Sequence, residues 1–159
     1  MLPIGTILSK GVNSMVSNSI TIPRDIETVW NTIEAEFRKA FKCQGKELLG
    51  RRTTIKTRSY FGSPITVSQE VIEYAPREAI AIKSVNRDDV LISRYRLEAL
   101  ADDCCRVTLS VQGRNEKSKL KTWNYWVMSL PVFRSGARKR LAIQLQRLKE
   151  FILAGGDGP

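Results

Sequence analysis

The chain reads as an α+β domain: a curved antiparallel sheet of about six strands wrapped around a long C-terminal helix, with one or two short helices after the first strand. Three observations predict this. Between Gly50 and Gly113 the apolar residues alternate, and the breaks between alternating runs are too short for parallel crossovers. Before and after that region the apolar spacing is helical. A sheet with one apolar face needs a cover, and the stretch after Arg114 is the long amphipathic element left to supply it.

The elements follow in order. A strand over 14–22 puts Val16, Ile20 and Ile22 on one face and Ser17, Ser19 and Thr21 on the other, and Pro23 stops it. Asp25 and Glu27 place negative charge where a helix N-terminus favours it. Ile26, Val29, Trp30, Ile33, Phe37, Ala40 and Phe41 then give an amphipathic helix, or two short ones, over 25–42. Strands read at 51–61, 64–74, 78–85, 90–99 and 104–113, separated by turn residues such as Gly62-Ser63-Pro64, Ala75-Pro76-Arg77 and Ala101-Asp102-Asp103. Such links force sequential hairpins, so this region is a meander. After Arg114, Leu120, Trp123, Val127 and Leu130 share a helical face, and Leu141, Leu145, Leu148 and Ile152 continue a stripe. Pro131 and Gly136 predict a kink or break between the two, and Gly155 with Gly156 a stop. The organisation expected is a flexible leader over 1–12, a single domain over 13–154 and a disordered tail over 155–159.

Alternation also sorts the strand residues by face. Asn18, Ile20 and Ile22, Thr53 and Ile55, Val67, Gln69 and Val71 fall inward. So do Ile80, Ile82 and Ser84, Leu91, Ser93, Tyr95 and Leu97, and Cys105, Val107, Leu109 and Val111. The charged residues, Lys56, Arg58, Arg94, Arg96 and Arg106 among them, fall outward. Glu73 is on the inward phase, at a strand end. The inner face is therefore apolar with a few neutral polar groups, the composition of a small-molecule pocket. The same residues also suit a plain core in which Gln69 and Tyr95 find ordinary hydrogen-bond partners.

Composition narrows the function. The 159 residues carry 26 Lys and Arg against 16 Asp and Glu, a formal charge of +10, which favours contact with polyanions. Most of that excess lies between Arg114 and Glu150, where ten basic residues meet two acidic ones. There is no histidine. Its absence removes Ser-His-Asp and Cys-His catalysis and the common zinc sites. Cys43, Cys104 and Cys105 have no metal-ligand spacing and no even disulfide framework, so no metal and no cofactor is expected. Reduced cysteines and the lack of a signal-peptide pattern point to the cytoplasm. The most apolar window, Trp126 to Phe133, is far short of the ~20 residues that cross a bilayer.

The run Ser19-Ile20-Thr21-Ile22-Pro23-Arg24-Asp25-Ile26-Glu27-Thr28-Val29-Trp30 resembles the opening of START-like (SRPBCC) helix-grip domains, in which a first strand ends at proline before a short helix bearing a Val-Trp or Val-Phe pair. The meander and final helix extend that resemblance over about residues 14–154. The aromatic stretch Trp123–Phe133, followed by Gly136 and the basic run Arg138–Arg140, is similar to an uncharacterised bacterial branch of the same superfamily. The resemblance implies a hydrophobic cavity roofed by the C-terminal helix. The superfamily includes lipid and steroid carriers, polyketide cyclases and hormone receptors, and none of their catalytic residues transfers to positions here. Fold likeness alone does not supply function.

Four functions follow as expectations. The first is a non-enzymatic binder or carrier of a hydrophobic small molecule, lipid-like or polyketide-like, held by Asn18, Val67, Gln69, Ser93, Tyr95 and Leu109 of the sheet and Trp123, Trp126 and Leu130 of the covering helix. The second is attachment to an anionic membrane through Arg134, Arg138, Lys139 and Arg140 beside the apolar window. Nucleic-acid binding is disfavoured, because the aromatics interleave poorly with the charges as a stacking platform. A cyclase or dehydratase would have to work through Tyr95, Gln69 or Glu73.

Overall fold

The computed structural model describes residues 12–45, 47–58, 64–87, 89–115 and 138–155. The elements are β1 (Val12–Ile22), α1 (Ile26–Ala40), β2 (Arg52–Arg58), β3 (Pro64–Ala75), β4 (Ala79–Asn86), β5 (Asp89–Ala101), β6 (Cys104–Asn115) and α2 (Arg138–Leu153). All six strands form one antiparallel sheet in the order β1-β6-β5-β4-β3-β2. The meander is as the short links predict, and β1 returns beside β6 to complete it.

Local chemistry accounts for α1. Asp25 is its N-cap: the Thr28 N–H donates to Asp25 Oδ2 at 3.0 Å and Thr28 Oγ1 donates to Oδ1 at 2.7 Å. These bonds hold the Asp25 carboxyl below its ordinary pKa. The helix buries Val29, Trp30, Ile33 and Phe37, one stripe at helical spacing, against the sheet. Its last turn carries Arg38 and Lys39, which complement the helix dipole. At the other end of the chain Gly155, at φ +87°, takes the left-handed position that closes α2, its N–H donating to Ile152 O at 3.0 Å.

One hydrophobic cluster joins both helices to one face of the sheet. It includes Ile33 and Phe37 of α1, Val67, Ile82, Tyr95, Val107 and Leu109 of the strands, and Leu145, Leu148 and Ile152 of α2. α2 lies against β1 and β6, and α1 against β5 and β6. The face they cover is the inner face, and the opposite one meets solvent. Every inward position that alternation assigns on β4, β5 and β6, from Ile80 to Val111, is buried.

The alternation fails at one point on β3. The register shifts between Val71, opposite Ile82, and Glu73, opposite Ala81, leaving Ile72 as the extra residue of a β-bulge. Glu73 is thereby turned to the outer face, contrary to its sequence phase. There Arg94 Nε donates to Glu73 Oε1 at 2.6 Å. Tyr74 is turned inward in exchange and pairs with Ile80.

Candidate ligand-binding face

β5 supplies the centre of the inner face. Leu91, Ser93, Tyr95 and Leu97 alternate with outward residues and are each buried. The strand register extends them into rows across the sheet. Gln69, Ser84 and Leu91 make one row, Val71, Ile82, Ser93 and Val111 the next, and Tyr74, Ile80, Tyr95 and Leu109 the third. The sequence-predicted residues Val67, Gln69, Ser93, Tyr95 and Leu109 are thus brought together on one covered surface.

Its polar groups are few and neutral. Gln69 Nε2 donates to Ser84 Oγ at 3.0 Å within the first row. Ser93 Oγ and Tyr95 OH are buried and have no hydrogen-bond partner among the described residues. Such a group ordinarily costs about 1–3 kcal/mol unless something satisfies it. The Tyr95 ring is fixed edge-on against Phe37, with centroids 5.7 Å apart at 81°. Burial pushes the Tyr95 phenol far above its ordinary pKa, so it stays protonated. The Cys105 thiol is pushed up to about 11 by burial and is also neutral. Gln144 of α2 is buried as well. No group of three or more His, Cys, Asp or Glu able to hold a metal occurs among the described residues.

Beside this face, Glu34 of α1 gathers four donor contacts. Trp30 Nε1 donates to Oε1 at 2.8 Å, and Tyr74 OH donates to Oε2 at 2.8 Å. Arg38 reaches the same Oε2 through Nε at 2.9 Å and Nη2 at 2.8 Å. Burial pushes the Glu34 carboxyl up, but the bonds from Tyr74, Arg38 and Trp30 outweigh it and hold the pKa below the ordinary value. Burial and the neighbouring Glu34 carboxylate raise the Tyr74 phenol. Arg38 Nη1 continues to Cys43 O at 3.1 Å, tying α1 to the segment that follows it.

Asn18 keeps its predicted phase but is not covered. It stands opposite Leu109, in phase with the inner face, yet it is exposed on edge strand β1, its Oδ1 accepting from the Ser19 N–H at 2.9 Å. Trp123, Trp126, Leu130 and Arg134 lie outside the described residues. Arg138, Lys139 and Arg140 form the first turn of α2, their side chains outside the described part. Sequence reasoning had placed Ser84 inward without singling it out. It missed Tyr74, which the bulge turns inward, and Gln144, which sits beside Leu145 on the buried stripe of α2.

A depression of about 270 Å³ lies elsewhere, over β2, β3 and β4. Its lining includes the outward residues Arg52, Thr54, Ser68, Glu70 and Lys83, with Arg52 Nε 3.5 Å from Glu70 Oε1. It is polar, charged and on the solvent side, and does not suit a hydrophobic molecule.

No helix among the described residues is long and apolar enough to cross a membrane. No protein-family model matches the sequence, and no curated protein matches it. Solved structures do match. Ara h 8.0201 aligns with a TM-score of 0.60 at 10% identity, covering 90% of this chain and 99% of that one. Norcoclaurine synthase from Thalictrum flavum, solved in complex with dopamine and hydroxybenzaldehyde, aligns with a TM-score of 0.56 at 9% identity over 98% of this chain and 100% of that one. An uncharacterised protein from Rhizobium leguminosarum aligns with a TM-score of 0.55 at 14% identity over 91% and 97% of the two chains. At such identities the likeness is one of fold. The chain has a helix-grip fold.

Proposed function

We propose that the protein binds and carries a hydrophobic small molecule against the inner face of its sheet. The observation that supports this most is the pair Ser93 Oγ and Tyr95 OH, two buried hydroxyls without a partner among the described residues, set in an otherwise apolar surface. An apolar wall with sparse polar groups fixes the orientation of a ligand while burial supplies the affinity. The same fold in norcoclaurine synthase accommodates dopamine and hydroxybenzaldehyde, so the architecture is compatible with small organic ligands.

Binding fits better than acid–base catalysis. A general acid or base must exchange a proton near the working pH. On the described inner face Tyr95 and Cys105 are driven upward by burial, Tyr74 is raised by burial and by Glu34, and the Glu34 carboxyl beside it is held below its ordinary value by Tyr74, Arg38 and Trp30. Glu73, the one carboxylate that sequence phase had placed inside, faces out against Arg94.

Native mass spectrometry of the gently purified protein, with a solvent extract analysed in parallel, tests the proposal. A co-purifying apolar molecule, or saturable binding of a neutral dye such as Nile red that such a molecule displaces, is expected. Absence of both a bound mass and dye binding sinks it.

A further inference from the structure

Resting on the inner face being a ligand site, we infer that its occupant is a neutral hydrophobic molecule with a hydrogen-bonding oxygen, a ketone, alcohol or phenol and neither a carboxylate nor an amine. Ser93 and Tyr95 are two residues apart on β5, so both point to the inner face about 7 Å apart along the strand. Each hydroxyl can donate and accept, so either can bond a carbonyl or a hydroxyl oxygen.

The surroundings of these hydroxyls are as informative as the hydroxyls. In their rows across the sheet stand Val71, Ile82 and Val111 beside Ser93, and Ile80, Leu109 and, one strand further, Tyr74 beside Tyr95; the Tyr74 hydroxyl is committed to Glu34, whose charge Arg38 already balances. None can balance a charge. The nearest ionic groups in sequence, Arg94 and Arg96, alternate to the outer face, and the bulge at Ile72 sends Glu73 there too. An ion drawn from water into such a wall loses several kcal/mol of solvation with no counter-charge to offset it. A neutral oxygen loses far less and regains a hydrogen bond from a hydroxyl that is otherwise unsatisfied. The wall therefore selects by hydrogen bonding and rejects by charge.

The test uses five molecules of one size and shape: ethylnaphthalene, acetonaphthone, naphthol, naphthoate and naphthylmethylamine, each titrated by calorimetry into the wild type, Ser93→Ala and Tyr95→Phe. Tyr95→Phe keeps the ring against Phe37, and circular dichroism checks that both variants are folded. For the wild type, acetonaphthone and naphthol are expected to bind roughly three- to tenfold tighter than ethylnaphthalene, the value of one net hydrogen bond. Naphthoate and the amine should bind more weakly than the hydrocarbon at neutral pH. Naphthoate, entering as the neutral acid, should gain about tenfold in affinity for each pH unit of acidification down to its own pKa. At least one variant should erase the ketone's advantage while leaving ethylnaphthalene unchanged or tighter, because the substitution removes an unsatisfied hydroxyl.

Equal binding of ketone and hydrocarbon, or binding of the acid or amine as tight as the ketone at neutral pH, overturns this inference and leaves the ligand-binding face intact. Failure of every member of the series, hydrocarbon and ketone included, removes the ligand-binding face itself.

Discussion

Glu34→Gln isolates the carboxylate that fastens α1 to β3. In the native protein Glu34 Oε1 accepts from Trp30 Nε1 at 2.8 Å, and Oε2 accepts from Tyr74 OH at 2.8 Å and from two nitrogens of Arg38. A glutamine amide has one accepting oxygen and one donating nitrogen. With its oxygen turned toward Arg38 and Tyr74, its NH2 meets the Trp30 N–H, donor against donor. Leaving that N–H unmatched beside a buried ring costs about 1–3 kcal/mol. Loss of charge toward Arg38 adds about 0.5 kcal/mol, kept small because both side chains are about a fifth exposed and the pair is partly screened. Together these give about 2 kcal/mol, or roughly 5 °C in melting temperature for a domain of this size. The effect has a pH signature. Glu34 has a depressed folded pKa, so its stabilisation is present above the unfolded value of about 4.3 and is lost as pH falls through the lower folded value. Urea unfolding of both proteins at neutral pH and near pH 3 reads the gap, which should close in acid without a change in slope. A gap under about 0.5 kcal/mol at neutral pH, or one equally wide in acid, refutes the account. So does a double-mutant cycle with Tyr74→Phe that shows no coupling.

Two further perturbations test the outer face and the thiols. Glu73 and Arg94 sit on β3 and β5 and meet across β4 above the small side chain of Ala81, at 2.6 Å. Ala81→Leu should part them, so that Glu73→Gln, expected to cost about 0.2–1 kcal/mol in the wild type, costs nothing in the Ala81→Leu background; equal costs in both would refute the bridging geometry. Cys43 and Cys105 are buried and Cys104 is only partly so, and the Cys105 thiol is pushed up to about 11. A thiol reagent at mildly alkaline pH should modify one cysteine of the native protein quickly and all three in denaturant, and two fast thiols in the native protein would contradict this. Because the folded pKa of Cys105 is raised, its contribution to stability is full below about 8.5 and is lost as pH rises toward the folded value.

Where the sequence was legible, one physical fact served two purposes. On β4 to β6 the side-chain period of two is the same thing as burial, so writing out alternate residues from Ile80 to Val111 wrote out the covered face. The helix start was legible because Asp25 and Glu27 put acidic side chains where a helix N-terminus favours them, and Asp25 is the cap. The failures came where a residue's fate depends on something other than its neighbours in the chain. Nothing in Val71-Ile72-Glu73-Tyr74 announces a bulge, for there is no glycine and no proline, and a single extra residue reverses the phase of Glu73 and Tyr74. Asn18 has the right phase, but it stands on an edge strand and is exposed. Ala81 has the outward phase and is nonetheless buried, because Glu73 and Arg94 of the flanking strands meet over it.

The bulge also bears on what the interior can do. Strict alternation along β3 would have put a carboxylate opposite Ile80, in the row of Tyr95, and the inner face would then have suited a cationic ligand or proton transfer. With one extra residue the carboxylate goes to the solvent side, where an arginine from β5 meets it, and an aromatic ring takes the inward place. Successive residues of β5 show the same separation, Ser93 and Tyr95 inside, Arg94 and Arg96 outside. Charges on the outer positions of β3 and β5, such as Glu73 and Arg94, are screened within about 8–10 Å at ordinary salt. On the proposed function the inner wall would act through apolar burial and two hydroxyls, neither of which depends on ionic strength. Ligand selection by this wall is therefore independent of the outer charges of β3 and β5, and Arg94→Ala is expected to leave it unchanged.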